Sequence, residues 1–309
     1  MQVLKKIVNR NTYKAVGVFL LPALVIYLIF VIYPLLKVFR LSFYRWRGIS
    51  AGSEVFIGFG NFIDLFHDPV FWRALGNNLI LFIFVIVVSI IGALFFATSL
   101  SYKIKMGGTY RAIWLFPNML GDIVVVTIWL FLYHPTLGLL NYFLSIIGID
   151  VGAIPWLGQS STALIAAGIP MIWKYMGLYI ILFLAAIQEI PQSYLDASKI
   201  DGTSKWQEFY YIILPSLKPT ITVALVFLIY NSFSVIFTYI RFLTRGGPYR
   251  TSETLPTYIF EVGFENNKFG YASSMSLVSF LVISIIAVLI MRLLMSQLMG
   301  NEKGVRVKK

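Results

Sequence analysis

The sequence contains no cysteine, two histidines and few charged residues. Disulfide bonds, thiolate metal sites and thiol catalysis are therefore excluded. His67 and His134 lie 67 positions apart, which is not the spacing of a metal-binding pair. Only 12% of the 309 residues are charged whereas 59% are hydrophobic, so a soluble domain of this length would lack sufficient polar surface. The composition predicts an integral membrane protein.

Long apolar segments predict an all-α bundle of about six transmembrane helices, because helices satisfy their backbone hydrogen bonds within lipid. The predicted spans are 15–36, 79–101, 112–133, 162–187, 219–240 and 275–296. The first contains 22 residues without a charge and no small-x-small cleavage site follows it. It is therefore interpreted as a retained span and not as a signal peptide. One membrane domain is expected at 15–297, between an N-terminal segment, 1–14, and a tail, 298–309.

Basic residues are distributed unequally between the two sides of this bundle. An even number of spans places both termini on one side, which then receives 15 of the 25 basic residues, whereas the opposite loops receive nine. The positive-inside rule therefore predicts that both termini are cytoplasmic. The net charge of +12 is scattered over the loops, which favours contact with anionic lipid headgroups over binding of nucleic acid.

The longest predicted inner loop, 188–218, holds a polar segment between two apolar spans. Pro191 is expected to end the preceding helix, because proline disfavours helical geometry at the residue before it. Ser193 is a possible N-cap, with Asp196 three residues later in a pattern that resembles a capping box. A short helix is therefore expected from about 194 to 200.

The second half of this loop predicts a turn and another short helix. Gly202 is expected to end the first helix by adopting a left-handed conformation. A second helix is expected at about 204–213, before Pro215 marks the turn into the next span. Its predicted apolar face consists of Trp206, Phe209, Tyr210 and Ile213. Residues 194–215, which we call the elbow, thus form a rigid protrusion suited to docking of a soluble partner.

The spacing within the elbow resembles a known family motif. Asp196-Ala197-Ser198, three residues, Gly202, nine residues and then Ile212-x-Leu214-Pro215 are similar to the EAA loop of bacterial ABC importer permeases. The family pattern is E-A-A-x3-G-x9-I-x-L-P. The sequence departs from it by having DAS in place of EAA, so the acid is retained on a shorter side chain.

Further segments extend the resemblance over most of residues 15–297. They are IGFGNF at 57–62, HDPVFWRALGNNL at 67–79, WLFP at 114–117, GLLNYFL at 138–144, FLTRGGPYRTSETLPTYIFEVGF at 242–264 and FGYASSMS at 269–276. In this order they resemble the MalF-like permeases of the carbohydrate-uptake branch of ABC importers.

The resemblance implies a transport subunit and not an enzyme. An extracellular solute-binding protein would deliver a sugar, this chain and a second, MalG-like permease would form the path, and two cytoplasmic ATPase subunits would hydrolyse ATP-Mg. The chain has no G-x-x-x-x-G-K-[ST] phosphate loop, and no cofactor is expected in it.

The resemblance also implies roles for individual residues. The expected ATPase-coupling residues are Tyr194, Asp196, Ala197, Ser198, Gly202, Leu214 and Pro215. Gly246, Gly247 and Pro248 are expected in an outer loop that faces the binding protein. A simpler interpretation of these three residues is a tight external turn.

Charged and polar side chains within the predicted spans suggest a substrate path. Asp122 and Lys174 are costly at membrane depth; they could pair with each other, line the sugar path or lie near the interfaces. Asn231, Ser234 and Thr238 form one helical stripe that could bind sugar hydroxyls or join helices. The aromatic candidates for stacking on a sugar ring, or alternatively for the interfacial belt, are Trp173, Tyr175, Tyr179 and Tyr230.

Two other functions are compatible with a membrane bundle. An intramembrane enzyme needs clustered acid–base, metal or nucleophilic residues, but Asp122 and Lys174 are isolated in the sequence. An ion-coupled secondary transporter would work alone and needs buried titratable residues. The sequence favours the importer subunit over both.

Overall fold

The computed structural model describes residues 10–48, 53–101, 107–149, 152 and 154–305. Within its helices, the side chains at 10–16, 18, 107, 230–234, 287, 290, 291 and 293–305 are outside the description. Residues 1–9 of the predicted N-terminal segment and 306–309 of the predicted tail also lie outside the described residues.

Helices make up most of the described chain. The first part contains α1 (Arg10–Tyr27), a π-helical turn (Leu28–Ile32), α2 (Tyr33–Leu41), the short strands β1 (Tyr44–Arg45) and β2 (Val55–Phe56), α3 (Gly60–Phe66) and α4 (Pro69–Ser101). The middle part contains α5 (Gly107–Met119), α6 (Asp122–Leu132), α7 (Leu139–Ile146), α8 (Ala163–Gln188) and α9 (Gln192–Ile200). The last part contains α10 (Lys205–Glu208), a π-helical turn (Phe209–Ile213), α11 (Leu214–Leu243), α12 (Leu255–Phe260), a π-helical turn (Glu261–Glu265) and α13 (Phe269–Val305).

One compact unit contains Met1–Asp68 and Ile259–Leu281. Its strands pair antiparallel, with Tyr44 opposite Phe56. Asn61 is buried and its Nδ2 donates hydrogen bonds to the carbonyl oxygens of Ser42, at 2.9 Å, and Tyr44, at 3.0 Å. The amide therefore fixes α3 against the end of α2 and the small hairpin.

The other compact unit contains Pro69–Tyr258 and Val282–Lys309. Its apolar core has two clusters, in both of which α4, α8 and α11 meet. One cluster includes Ala93, Phe183 and Leu217. The other includes Met171 and Tyr239 and also receives Val125 and Val126 from α6. The three long helices thus form the frame, and α6 packs near one end of it.

Five described helical segments are long and apolar enough to cross a membrane: Phe19–Leu41, Pro69–Ser101, Ala163–Gln188, Lys205–Ile229 and Phe269–Ile286. A sixth is formed if the bent pair Gly108–Met119 and Asp122–Leu132 is counted as one span. The predicted all-α membrane bundle of about six helices is therefore confirmed.

The predicted span 112–133 is wrong as a straight helix. Its two halves, α5 and α6, meet at an angle of 96°. Gly121 is extended, with φ −64° and ψ 148°, and Asp122 begins α6 as a residue that helix N-termini favour. The break at 117–122 lies between two longer apolar stretches, so averaged hydropathy showed one continuous segment. The bend places the carboxylate of Asp122 at the start of a new helix.

Candidate functional site

The first helix of the elbow begins earlier than its sequence pattern indicates. Pro191 is the N-cap of α9, with φ −56° and ψ 129°, and no side chain caps this helix. The expected N-cap, Ser193, is wrong because the fixed φ of Pro191 starts the helix at Gln192, so that Ser193 is already helical. The backbone N–H of Tyr194 donates to the carbonyl oxygen of Pro191.

The turn after α9 is held by backbone bonds around one left-handed glycine. Gly202 has φ +70°, as expected from the sequence, and a side chain would be strained there. The carbonyl oxygen of Ser198 accepts bonds from Thr203 N at 3.0 Å and Thr203 Oγ1 at 2.9 Å. Ser198 is buried, and its own hydroxyl donates to the carbonyl oxygen of Leu195 at 2.8 Å. The serine that replaces alanine in the motif is therefore satisfied locally.

A capping box starts the second half of the elbow, at a position that sequence reasoning missed. Ser204 Oγ accepts a bond from Gln207 N, and Gln207 Oε1 accepts one from Ser204 N at 2.8 Å. The signal S-x-x-Q was present in the sequence. Helix α10 and the π-helical turn then continue into α11, and Lys205–Ile229 forms one candidate span.

The predicted turn at Pro215 is therefore wrong. The proline lies at the start of α11, directly after the π-helical turn. The helix runs from Lys205 through the π-helical turn and past Pro215 without a break, so the proline does not end it.

The elbow exposes large apolar side chains on an ordered backbone. The exposed fractions are 61% for Tyr194, 86% for Ile200, 72% for Trp206, 54% for Tyr210 and 71% for Tyr211. Ala197 and Pro215 are also exposed, whereas Leu214 is half-buried and Ile213 is buried. The predicted apolar face is thus divided: Ile213 anchors the elbow, and Trp206 and Tyr210 point away from the core. On α9, outside the candidate spans, exposed Tyr194 and Ile200 are typical of an interaction surface. Trp206, Tyr210 and Tyr211 lie at the start of the candidate span Lys205–Ile229.

The acid of the motif, Asp196, lies in the open on this surface. Its Oδ1 accepts hydrogen bonds from Lys199 Nζ at 3.0 Å and Gln192 Nε2 at 3.2 Å. The bonds from Lys199 and Gln192 lower the pKa of Asp196 below its usual value. The carboxylate is therefore charged at neutral pH and accessible to a partner.

A second group of side chains, which we call the polar cluster, consists of Asp122, Lys174, Tyr175 and Tyr239. Lys174 Nζ lies 2.5 Å from Asp122 Oδ1. The hydroxyls of Tyr175 and Tyr239 each donate to the same oxygen at 3.3 Å. The side chain of Lys174 is 8% exposed and that of Asp122 is 32% exposed. Of the roles that the sequence left open for the two charges, the structure shows the pairing.

The other residues predicted to line the sugar path or to stack on a sugar ring are found in different environments. Trp173 is half-buried and its ring packs edge-on against Trp129, with centroids 6.1 Å apart. Thr238 is half-buried on α11. The side chains of Tyr230, Asn231 and Ser234 lie outside the described residues, so their predicted stripe stays a prediction. Tyr179 is buried in the core.

The predicted outer-loop residues belong to a tightly bonded segment, 244–257. Gly246 has φ +78° and lies against the carboxylate of Glu253, leaving no space for a Cβ. Glu253 is buried, and its two oxygens accept bonds from Thr257 Oγ1 and Arg250. Asn77 of α4 donates to the backbone carbonyls of Thr251 and Glu253. Gly247 and Pro248, joined by a cis peptide, are half-buried.

Sequence reasoning missed Glu253, because a single acid within a loop gives no signal of burial. The hydrogen bonds of the buried Glu253 carboxylate fix the shape of this loop. The simpler prediction of a tight external turn therefore describes only part of the segment 244–257. Among the described residues, no group of three or more His, Asp or Glu side chains could hold a metal ion.

Comparisons with known proteins identify the class of protein. Residues 106–299 match the model of the family described as "Binding-protein-dependent transport system inner membrane component". The chain belongs to this family. It is a multi-pass inner-membrane permease subunit of an ABC transporter, and the resemblance seen in the sequence is confirmed.

Two relatives and one solved structure illustrate the similarity. The probable ABC transporter permease protein YurN of Bacillus subtilis (strain 168) is 35% identical over 266 residues, covering 85% of this chain and 90% of the relative. The diacetylchitobiose uptake system permease protein NgcF of Streptomyces coelicolor is 32% identical over 292 residues, covering 91% and 82%. A bacterial alginate ABC transporter, solved with an alginate pentasaccharide-bound periplasmic protein, matches with a TM-score of 0.76 and 26% identity over 89% of this chain and 92% of that one.

Proposed function

We propose that this chain is one of two permease subunits of an ABC importer for a sugar or oligosaccharide. A binding protein delivers the saccharide from outside, a second, MalG-like permease completes the path, and two ATPase subunits bind ATP-Mg in the cytoplasm. The sugar assignment is supported by relatives such as NgcF, named for diacetylchitobiose uptake. The binding-protein partner is supported by the family description and by the alginate transporter complex.

The elbow is the proposed docking element for one ATPase. The observation that carries this proposal is the combination of exposed aromatic and aliphatic side chains with a backbone fixed by a left-handed glycine and a capping box. A rigid element transmits a push as a unit, whereas a flexible loop would absorb it. Continuity of the elbow with the span Lys205–Ile229 would carry the motion directly into the membrane.

The proposed orientation has the elbow and both termini in the cytoplasm. The excess of basic residues in the predicted inner segments supports it. The outer loop, with Gly246, Gly247 and Pro248, then faces the binding protein. Its internal hydrogen bonds suit a surface against which another protein docks with little ordering cost.

The saccharide path is proposed to run beside the polar cluster. Asp122, Lys174 and Tyr175 would supply polar groups there, Trp173 an aromatic surface and Thr238 a hydroxyl. Tyr230, Asn231 and Ser234 are proposed on their sequence pattern alone. Alternating access would expose this path to the two sides in turn as the ATPases close and open.

The test of coupling uses two elbow variants in the complete transporter. Gly202→Val forces a β-branched residue into the left-handed region, and Asp196→Lys reverses the exposed charge. We expect both to abolish co-purification of the ATPases or saccharide-stimulated ATP hydrolysis, while the chain still inserts. Gly202→Asn is the matched control, because asparagine tolerates a left-handed conformation. Unchanged transport in both variants would contradict the proposed role.

A further inference from the structure

In the polar cluster the side chain of Lys174 is buried, whereas that of Asp122 is partly exposed. Lys174 is the single charged residue of α8 and lies about 17 Å along this helix, which is roughly its midpoint. Its ammonium group is buried against Asp122 Oδ1, which also accepts both tyrosine hydroxyls. Cationic charge at membrane depth is therefore neutralised before any ligand arrives.

Asp122 differs from its partner in having an accessible side. Oδ1 has three donors, whereas Oδ2 accepts no hydrogen bond from any described residue, and about a third of the side chain is exposed. The carboxylate side chain is therefore the accessible member of the ion pair, whereas the ammonium group is covered. It can accept a hydrogen bond from a hydroxyl but disfavours another carboxylate, because the accessible end of the ion pair is the anionic one.

Trp129 lies on the same face of α6 as Asp122. It lies seven residues, or two helical turns, after Asp122. Its indole Nε1 is buried and has no hydrogen-bond partner among the described residues. A sugar hydroxyl can accept from an N–H and donate to a carboxylate, whereas an ionised carboxyl group can only accept. The partly exposed acceptor on α6 therefore fits a ligand that donates hydrogen bonds, as a hydroxyl-rich neutral saccharide does.

We infer that Asp122, with Lys174 screened behind it, makes this permease select neutral saccharides over acidic ones. The inference rests on the proposed function as a saccharide importer. The fold does not itself set this preference, since a structurally similar transporter is named for alginate, an acidic polysaccharide. The pair of charges on α6 and α8 sets it here.

The test measures ATP hydrolysis by the complete transporter in nanodiscs with its binding protein. The probes are maltotriose, cellotriose and chitotriose as neutral saccharides, and trigalacturonate and trimannuronate as acidic ones. The variants are Asp122→Asn, Lys174→Met and the double variant with both changes. For each variant, the rate of ATP hydrolysis with acidic saccharides is divided by the rate with neutral ones, and this ratio is compared with that of the parent transporter. All variants use the same binding protein, so its own preference does not affect the comparison.

The expected ratios follow the charge of the cluster. Asp122→Asn leaves Lys174 unopposed and should raise the acidic-to-neutral ratio at least tenfold, whereas Lys174→Met should not raise it. The double variant should lie between Asp122→Asn and the parent chain, and it also controls for folding because it leaves no unpaired charge. A role limited to helix packing, or coverage of Asp122 by the second permease, would lower both responses equally.

The outcomes separate this inference from the proposed function. A ratio that stays unchanged in Asp122→Asn and in the double variant would overturn the inference alone, as would a parent transporter that responds equally to acidic and neutral probes. If no saccharide stimulates hydrolysis by the parent transporter, the proposed function fails and the inference fails with it.

Discussion

Two aspartate–lysine pairs in this chain occupy opposite environments. Lys199 and Asp196 lie 3.0 Å apart on the elbow, with 64% and 56% of their side chains exposed. Lys174 and Asp122 lie 2.5 Å apart within the helix bundle, with 8% and 32% exposed. The first pair is local to one helix, whereas the second joins α6 to α8 and, through Tyr239, to α11. The same chemistry therefore lies on the proposed docking surface in one place and joins helices in the other.

The difference in solvent exposure explains why the two pairs are expected to respond differently to substitution. An exposed pair is screened by water and contributes little to stability, so its carboxylate stays available to a partner. A buried pair is stabilising only as a pair, because loss of one member leaves a charge without compensation. The comparison predicts large effects on folding at Lys174, and effects on assembly but not on folding at the elbow.

The largest expected effect follows from Lys174→Met. This change leaves Asp122 without its cation and should destabilise the chain by about 3 kcal/mol, at the lower end for a buried pair because Asp122 is partly exposed. The loss should appear as a lower thermal midpoint of the purified protein in detergent. Asp122→Asn combined with Lys174→Met should recover much of it; a double variant less stable than Lys174→Met would contradict the pairing.

An intermediate effect is expected at the elbow surface. Trp206→Ala removes a side chain that is 72% exposed and should weaken ATPase binding by about 2 kcal/mol, the size of an interface hot spot, or roughly 30-fold in affinity. Binding of the purified ATPase to the permease in nanodiscs measures it. Tyr142→Ala, at a residue that is 61% exposed on α7, is the matched control. Equal losses in the two variants would remove the elbow from the interface.

A small effect is expected from Lys199→Met, the counterpart of Lys174→Met. Because Lys199 is exposed, we expect a thermal midpoint that equals that of the parent chain within error. The measurement is the same detergent melt. A fall comparable with that of Lys174→Met would mean that exposure does not distinguish the two pairs.

A second small effect at the same exposed pair concerns pH. The pKa of Asp196 is lowered by its bonds with Lys199 and Gln192, so the charged form is favoured in the folded chain. This contribution to stability is present above the unfolded pKa, about 3.9, and is lost as pH falls through the lower folded value. Asp196→Asn should therefore melt slightly below the parent chain at neutral pH, and this difference should shrink as the pH falls below the unfolded pKa of about 3.9. A difference that grows on acidification would contradict this sign.

The sequence predicted what depends on composition and local pattern. Apolar segment lengths indicated the bundle, Pro191 and Gly202 indicated where α8 and α9 end, and the spacing from Asp196 to Pro215 indicated the family. These signals are carried by neighbouring residues, so no tertiary information was needed.

Other features depended on contacts between distant residues. The 96° break before Asp122 lies between two apolar helices that averaged hydropathy does not separate. The convergence of Lys174, Tyr175 and Tyr239 on one oxygen joins three helices, and the burial of Glu253 depends on Arg250 and Thr257 around it. Ser193 failed as an N-cap because Pro191 started the helix first.

The most direct test of the central claim is photo-crosslinking in the assembled transporter. A benzophenone amino acid replaces Ile200, 86% exposed on the elbow, or Leu137, 84% exposed between α6 and α7. We predict ultraviolet-dependent crosslinks to the ATPase subunit from position 200 and none from position 137. Crosslinks to the ATPase from position 137 with none from position 200, in a transporter that still hydrolyses ATP, would contradict the account.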